Sequence, residues 1–569
     1  MKFCYLILLT ATLTLTAYAQ KPTPTPKAAN NPRGVISGTV VSDDGQPLPD
    51  VEVRVASLRF ATDRLSVSPK TKPNGQFRAE GLPPGRYTVT AFAPGYVPLA
   101  DENFGVTTYR PGAVIDLHLT RGGVITGALT ETDGAPAITV RVRALRVRDE
   151  RGQAVREGYS ASDLTDDQGV YRIYGLPPGS YLIATGPAQG WSLVAPDGMP
   201  PFYYPTGPPE TAQQLELQYG QEISGIDMRR RRLSGHSVSG VAGISFKPEW
   251  GLRASLLRAG SGILEREAEI EGSDGGYAFA LKDVPDSDYD LALEAADRNR
   301  KADAPIQRVK VRGADVTGLQ FNLVEAGGLS GRVVLEKNAA LANRPECVET
   351  GRAFIEEILL QPQRAEKKPP APLGYSYSNF APRELPDEHG AFQVKGLRPG
   401  EYRLATQLPS ESWYIRASNA PGSPAKDLGR DNLSIVSGAT TREVTIFISN
   451  GAATVTGRIT PARAGVELPA NLFVYLVPAE KDAAEHILRY AEAKASRDGV
   501  FTFANLAPGR YWIVAKTPPE EPPTVRRPLF WNATERAQLR REAETAKREI
   551  TLNPCQQSKA YTLPYEAKP

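Results

Sequence analysis

The sequence contains few of the residues that build metal and thiol sites. Its 569 residues include four His and three Cys. This leaves little material for zinc coordination or for a nucleophilic thiol. The 67 basic and 64 acidic residues give a net charge of +3, so no global field attracts nucleic acid or an anionic membrane. We predict no nucleic-acid partner and no cofactor.

Long apolar runs are also missing, except at the start of the chain. Lys2 precedes an apolar, Thr-rich stretch over 5–17, and Ala17-Tyr18-Ala19 fits the small-x-small rule for signal-peptide cleavage. This stretch is too short to span a bilayer, which needs about 20 residues. We predict a signal peptide over 1–19, a Pro/Thr-rich linker over 20–33, and no transmembrane segment after cleavage. The protein is therefore expected to be secreted or periplasmic.

Glycine and proline, in contrast, are plentiful, with 51 and 49 residues, which indicates many turns. A short pattern of apolar residue, Ser or Thr, Gly, any residue and apolar residue occurs five times. Its glycines are Gly38, Gly127, Gly240, Gly331 and Gly457. A second pattern follows each copy: a turn with Gly, then alternating apolar residues, which predict a strand. In four copies it ends in Pro-Gly-x-Tyr, which suits a type II turn with the tyrosine starting the next strand.

Strand, turn and strand repeated without helical periodicity are typical of antiparallel β-sandwiches. The predicted fold is all-β, a tandem array of about five transthyretin-like or immunoglobulin-like sandwiches. They span 34–120, 121–233 with an insertion, 234–325, 326–450 with a loop insertion, and 451–569 with a helical insertion. The third is divergent, because Pro285-Asp286-Ser287-Asp288 replaces Pro-Pro-Gly. In the fifth, Asn532 followed by Glu535 predicts the cap of a small helix over 532–547.

Together the two patterns resemble the carboxypeptidase regulatory-like domain, a transthyretin-like sandwich. They are also similar to carbohydrate-binding-like and Cna-B-like sandwiches. The resemblance covers the first, second, fourth and fifth units well and the third weakly. It implies a stalk, an accessory domain or an adhesion module, and it does not imply peptidase activity.

Catalytic motifs are absent from the sequence. No His is followed by Glu three residues later, as a zinc carboxypeptidase requires, and there is no H-E-x-x-H, G-x-S-x-G or phosphate-loop pattern. Two acidic turns, 42–45 and 163–169, lack the full calcium-loop pattern. The arginine run over 229–232 is interpreted as the end of a strand. We predict a protein that is not an enzyme, with no catalytic and no metal-binding residues.

Aromatic side chains are the candidate ligand-binding residues, because sugar rings stack on exposed aromatic faces. The candidates are Trp191, Tyr203, Tyr204 and Trp531, with Trp250 and Trp413 as further ones. Packing in a core or at a sheet edge is the alternative interpretation of the same residues. Signal cleavage removes Cys4, so Cys347 and Cys555 are candidates for a disulfide if their regions touch.

The leading hypothesis is a non-enzymatic secreted or cell-envelope protein that acts as a structural, adhesion or binding module. The alternative is a carbohydrate-binding protein that uses exposed aromatic residues. An accessory subunit of a peptidase or transport system is less favoured. A polysaccharide or a cell-envelope protein is the expected partner. The oligomeric state is left open, and the sandwiches can lie in line or fold back on one another.

Overall fold

The computed structural model describes most of the chain after the predicted signal peptide and linker, which lie outside the described residues. The described residues are 34–59, 65–98, 107–150, 152, 155, 160–186, 201–205, 207, 211–230, 235–249, 251–260, 264–270, 272, 276–297, 300–347, 353–365, 383–422, 426–462, 467–469, 471–496, 498–518 and 527–565. They contain 39 strands, several 3₁₀ turns and one α-helix.

The strands group into five sandwiches, each with its own buried core. The first contains β1 (Gly34–Ser42), β2 (Glu52–Ser57), β3 (Ser66–Val67), β4 (Gln76–Leu82), β5 (Tyr87–Phe92), β6 (Tyr96–Pro98) and β7 (Val114–Arg121). The second contains β8 (Gly123–Thr130), β9 (Arg141–Arg148), β10 (Ser160–Leu164), β11 (Val170–Leu176), β12 (Gly179–Gly186), β13 (Leu215–Leu217), β14 (Glu222–Ile223) and β15 (Met228–Arg229).

The third contains β16 (His236–Gly243), β17 (Leu252–Arg258), β18 (Leu264–Ile270), β19 (Tyr277–Val284), β20 (Ser287–Ala296), β21 (Lys301–Asp303), β22 (Gln307–Val311), β23 (Val316–Asn322) and β24 (Val324–Glu325). The fourth contains β25 (Gly327–Glu336), β26 (Leu359–Arg364), β27 (Ala391–Leu397), β28 (Gly400–Gln407), β29 (Trp413–Ala420), β30 (Lys426–Asp427), β31 (Leu433–Ile435) and β32 (Thr440–Asn450).

The fifth contains β33 (Ala453–Pro461), β34 (Phe473–Pro478), β35 (Ala491–Lys494), β36 (Val500–Leu506), β37 (Gly509–Lys516), helix α1 (Ala533–Ala546), β38 (Glu549–Leu552) and β39 (Gln557–Tyr565). The predicted fold class, an all-β array of sandwiches with one small C-terminal helix, is confirmed. The residue boundaries of the five units stay a prediction.

One arrangement recurs in every sandwich. The strand that carries the first motif pairs antiparallel with the strand of the second motif and parallel with a later strand. In the first sandwich this sheet runs β4-β1-β7-β6, and in the fifth it runs β36-β33-β39. The facing sheets run β3-β2-β5 and β35-β34-β37-β38. Each sandwich is thus antiparallel except for the parallel pairing of its first-motif strand, and in the second sandwich β8 pairs parallel with both β14 and β15. The motifs did not predict this parallel pairing.

The parallel pair explains the invariant glycine of the first motif. A Cβ atom on Gly38 would lie 1.8 Å from the carbonyl oxygen of Ile115 on β7, and one on Gly331 would lie 1.8 Å from that of Val444 on β32. No side chain fits between backbones this close. A Cβ atom on Gly240 or Gly457 would lie 2.3 or 2.5 Å from a carbonyl oxygen of the parallel strand, and one on Gly127 would lie 2.1 Å from that of Ile226, between β14 and β15.

The second motif contains a β-bulge at the same position in every sandwich. The residue before the core Leu or Val has a positive φ, and the register shifts there. These residues are Gly81, Gly175, Asp283, Gly396 and Asn505, with φ between 53° and 75°. Only Gly, Asn and Asp adopt this backbone readily.

The Pro-Gly pairs differ from the predicted type II turn, because Gly179, Gly400 and Gly509 have φ of 142° to 151° instead of about 80°.

Helix α1 covers the outer face of the fifth sandwich. Its start is capped by Asn532, whose Oδ1 accepts from the backbone N–H of Thr534 and Glu535 at 3.0 and 3.1 Å. Leu539 and Ala543 of the helix pack in one apolar cluster with Tyr475 of β34. This explains why all six residues of β34 are buried, since one face lies on the core and the other under the helix.

Candidate functional site

The candidate residues Tyr203 and Tyr204 lie beside the core of the second sandwich. The prediction that Tyr203 is an exposed ligand-binding residue is wrong. Tyr203 has no exposed surface, so its ring has no face on which a sugar could stack. Its hydroxyl donates to Glu265 Oε1 of the third sandwich at 2.8 Å, and the Arg258 guanidinium lies 5.4 Å from its ring centroid. Burial and the Glu265 carboxylate raise the Tyr203 pKa well above 10. Tyr203 therefore joins two sandwiches, while Tyr204 is half-buried against the core.

The tryptophan candidates do not form one exposed platform in the described part of the chain. Trp531 is half-buried in the apolar cluster beneath helix α1. Trp413 is fully buried in the core of the fourth sandwich. Trp191 and Trp250 lie outside the described residues. Core and edge packing, the alternative interpretation, therefore describes Trp413 and Tyr203.

Cys347 and Cys555 are joined by a disulfide, with a Cα–Cα distance of 5.2 Å. Cys347 ends a 3₁₀ turn of the fourth sandwich, and Cys555 lies in the turn between β38 and β39 of the fifth. The Cys555 N–H also donates to the carbonyl of Gly451, between these two sandwiches, at 3.0 Å. An open cleft beside the disulfide is lined by Arg344, Glu346, Cys555 and the segment 553–557. The disulfide thus fixes the fourth sandwich to the fifth.

The carboxylates of the acidic turns accept hydrogen bonds from the protein itself, as the Asp43 carboxylate does from the Thr120 hydroxyl at 2.9 Å. Asp166 Oδ1 accepts from the N–H groups of Gln168 and Val170 at 2.9 and 2.8 Å. Asp163 Oδ2 accepts from the N–H of Arg172 at 3.0 Å. Among the described residues, no group of three or more His, Cys, Asp or Glu is placed to hold a metal ion.

The first and fourth sandwiches contact each other directly, although they are distant in sequence. The Arg86 side chain is only 8% exposed, and it donates to the carbonyl oxygens of Glu357 and Leu408 at 2.7 and 2.6 Å. Arg110 lies 3.5 Å from the Glu357 carboxylate, and Arg59 donates to the carbonyl of Pro386. Burial and the nearby Arg110 lower the Arg86 pKa to about 10, while Glu357 acts in the opposite direction.

Burial at this contact raises the pKa of two carboxyl groups. The pKa of Glu357 rises from 4.5 to about 7, although Arg110 and Arg86 oppose the shift. The pKa of Glu384 also rises to about 7 through burial, although a hydrogen bond from the Leu385 backbone and the charge of Arg59 oppose the shift. The contact is therefore built from buried groups that change charge near neutral pH.

The fourth and fifth sandwiches share a second set of contacts besides the disulfide. The Asn505 side chain donates from Nδ2 to the carbonyl oxygens of Ser410 and Trp413, at 2.7 Å each. The N–H of Ile487 donates to the carbonyl of Gly429 at 2.7 Å. The third and fourth sandwiches are joined by an ion pair between Asp303 and Arg398. Sequence reasoning missed these residues, because no repeated pattern marks them.

Residues 35–120 match the family of the carboxypeptidase regulatory-like domain. This regulatory-like domain coincides with the first sandwich, β1 to β7. Comparison with the curated proteins gives no match. No helix among the described residues is long and apolar enough to cross a membrane.

Several solved structures are similar in part. The minor pilin GBS52 of Streptococcus agalactiae is 13% identical, with a TM-score of 0.18, and the match covers 35% of this chain and 96% of the pilin. The TIE protein of Bacillus anthracis is 12% identical, with a TM-score of 0.16, over 91% of this chain and 75% of that protein. The shaft pilin SpaA of Lactobacillus rhamnosus GG is 10% identical, with a TM-score of 0.16, over 35% and 96%. At these TM-scores, the likenesses carry no argument about the function of this chain.

Proposed function

We propose that the protein is a non-enzymatic structural or adhesion protein, secreted or held in the cell envelope. Its five sandwiches act as one folded-back body that presents surfaces to a partner. The observation that carries this proposal is the joining of sandwiches that are far apart in sequence. Arg86 contacts the fourth sandwich across 271 positions, and Cys347 is linked to Cys555 across 208. Fixed relative positions of domains are what a scaffold requires.

The disulfide supports the proposed compartment. Disulfides persist in oxidising environments and are rare where thioredoxin and glutathione keep thiols reduced. Together with the signal peptide predicted over 1–19, this favours a location outside the cytoplasm. Fractionation of cells that express the full chain with a C-terminal tag tests this. Tagged protein in the periplasm or medium, starting at Gln20, is the expected result, and uncleaved protein in the cytoplasm would contradict it.

A cell-envelope protein or polysaccharide is the proposed partner. The test is binding of the chain from Gln20 to Pro569 to isolated envelopes, before and after protease treatment of the envelopes. Saturable binding that protease abolishes identifies a protein partner, and binding that survives protease identifies a polysaccharide. Wild-type binding by Tyr204→Ala and Trp531→Ala would remove these two aromatic residues from the ligand site.

The non-enzymatic part of the proposal needs its own test. The purified chain is assayed for peptide and glycoside hydrolysis with zinc, calcium, magnesium and manganese supplied. The expected result is no turnover above a heat-treated sample. Turnover that survives a second purification step would overturn the proposal.

A further inference from the structure

The disulfide between Cys347 and Cys555 lies beside the linker that joins the fourth sandwich to the fifth. Strands β32 and β33 are separated by the linker 451–452. The Cys555 N–H donates to the Gly451 carbonyl at 3.0 Å, and a Cβ atom on Gly451 would lie 3.9 Å from the Cys555 sulfur. The linker and the disulfide are therefore two neighbouring covalent connections between the same two sandwiches.

Breaking the disulfide leaves the linker to hold this junction covalently. Other contacts across the junction are hydrogen bonds, among them those from Asn505 to the carbonyls of Ser410 and Trp413. Arg430 likewise donates to the carbonyl of Asp482 at 2.7 Å. Each such bond is weak in net terms, because opening replaces it with a bond to water. A short linker with these bonds around it allows the two sandwiches to move apart and return, which the disulfide prevents.

An open cleft of about 610 Å³ brings solvent to one of the two cysteines. Its walls are Arg344, Glu346 and the segment 553–557, so Cys555 lines it and Cys347 does not. Both cysteines are half-buried rather than enclosed in a core. The volume lies within the roughly 300–1,000 Å³ of small-molecule sites. Because disulfides break by attack of a thiolate on one of their sulfurs, the cleft offers Cys555 to a small thiol.

The cleft carries one side chain of each charge. Arg344 and Glu346 are about half exposed, and their charged groups lie 3.9 Å apart. Arg344 begins the turn that ends at Cys347, whose N–H donates to the Arg344 carbonyl at 2.9 Å. A cation beside a cysteine favours the thiolate, and a thiol with a lower pKa leaves faster from a disulfide. Arg344 thus favours Cys347 as the leaving group, and it attracts an anionic thiol that Glu346 repels.

We propose that Cys555 is a site of thiol–disulfide exchange in the folded protein, and that small thiols release and restore the joint between the fourth and fifth sandwiches. The thiolate attacks the Cys555 sulfur and forms a mixed disulfide. The electron pair of the broken S–S bond leaves on Cys347, which takes a proton from water. A second thiol attacks the small-molecule sulfur of the mixed disulfide and releases Cys555 as a thiol. Two small thiols are thus oxidised to one disulfide, and the protein disulfide is reduced to two thiols.

The test is incubation of the full mature chain with reduced glutathione under native conditions, followed by acid quenching and peptide mapping by mass spectrometry. The expected first product carries glutathione on Cys555 and a free thiol on Cys347, and it forms at a rate proportional to the glutathione concentration. A first adduct on Cys347, or a rate that equals the unfolding rate whatever the glutathione concentration, would overturn the proposal.

Charge variants test the cleft as the route of attack. Arg344→Gln is expected to slow the reaction with glutathione about two- to fivefold and Glu346→Gln to accelerate it by a similar factor, the range typical of exposed charges. Arg416→Gln is the matched control, because Arg416 is an exposed arginine of the same sandwich that is paired with Glu336 and lies outside the cleft. Equal rates in the three variants and wild type would refute the cleft as the route.

Release of the joint is measured by amide hydrogen exchange. In the reduced chain, exchange in 410–413 and 427–430 is expected to rise, while β25 and β33 stay protected because each sandwich keeps its own core. The double variant Cys347→Ser and Cys555→Ser should show the same rise without glutathione and no further change with it. Oxidised glutathione should restore the original exchange of the reduced wild-type chain. Exchange in these segments that reduction leaves unchanged would show that the disulfide does not hold the joint.

Discussion

The hydroxyl of Tyr289 donates to the carbonyl oxygen of Pro285, four residues earlier, at 2.9 Å. The same bond to the residue four positions earlier occurs in all five sandwiches, from Tyr87, Tyr181, Tyr289, Tyr402 and Tyr511. The third sandwich keeps it although Pro-Asp-Ser-Asp replaces Pro-Pro-Gly. The tyrosine, more than the turn sequence, therefore defines this corner of the sandwich.

Tyr289→Phe is expected to destabilise the third sandwich by about 1–2 kcal/mol, because the buried carbonyl of Pro285 loses its donor. Amide hydrogen exchange of β19 and β20 measures the effect locally, which suits a chain with several domains. Tyr174→Phe is the control, since Tyr174 is 53% exposed. Equal protection of β19 and β20 in Tyr289→Phe and wild type would contradict a structural role for the bond.

Asn505 combines a bulge conformation with contacts to the fourth sandwich. Asn505→Gly keeps the positive φ of 59° and removes the two hydrogen bonds to Ser410 and Trp413. It is expected to loosen the contact between sandwiches while β36 stays intact. Asn505→Ala should also disturb β36, because alanine is strained at positive φ. Hydrogen exchange of β36 and of 410–413 separates the two effects, and identical profiles for both variants would contradict this assignment.

The contact between the first and fourth sandwiches is expected to weaken as pH rises. Glu357 has a pKa of about 7 in the contact, against 4.5 for a solvated carboxyl, and it faces Arg86, Arg110 and Glu356. The joined state therefore binds more protons than the separated state between these values. Its contribution is complete below about pH 4.5 and is lost as pH rises through about 7.

Small-angle scattering between pH 5 and 8 measures this change as an increase in the radius of gyration. Glu357→Gln should reduce the pH dependence, and adding Glu384→Gln should reduce it further, because Glu384 titrates in the same range. Glu388→Gln, an exposed carboxyl of the same sandwich, is the control. A pH dependence that is unchanged in the double variant would show that other groups cause it.

The disulfide is expected to stabilise the pair formed by the fourth and fifth sandwiches. Replacing both Cys347 and Cys555 by Ser should lower their unfolding free energy by about 2–4 kcal/mol. Dithiothreitol should lower the unfolding temperature of the wild-type chain and leave that of the double variant unchanged. A non-reducing digest of secreted protein that contains both cysteines as free thiols would contradict the cross-link.

Much of the architecture follows from local sequence. Phe77 and Ala79 are buried as the alternation of the second motif predicts, because a strand turns alternate side chains to the core. Leu82, three residues after Ala79, is buried because of the bulge at Gly81. The cap of α1 was likewise predicted from Asn532. The β-bulge that recurs in all five sandwiches was not predicted from the sequence, although Gly81 and its Gly, Asp and Asn counterparts each directly precede a core Leu or Val.

The sequence by itself determined the type of domain, its repetition and the inner faces of the strands, because these depend on neighbouring residues and their spacing. Tertiary structure alone decided which sandwiches touch, and therefore the roles of individual side chains. The burial of Tyr203 depends on Glu265 of another sandwich, and that of Arg86 depends on Glu357. Such contacts join residues far apart in the chain, and no local periodicity encodes them. The folded-back arrangement, which the sequence left open, follows from these contacts.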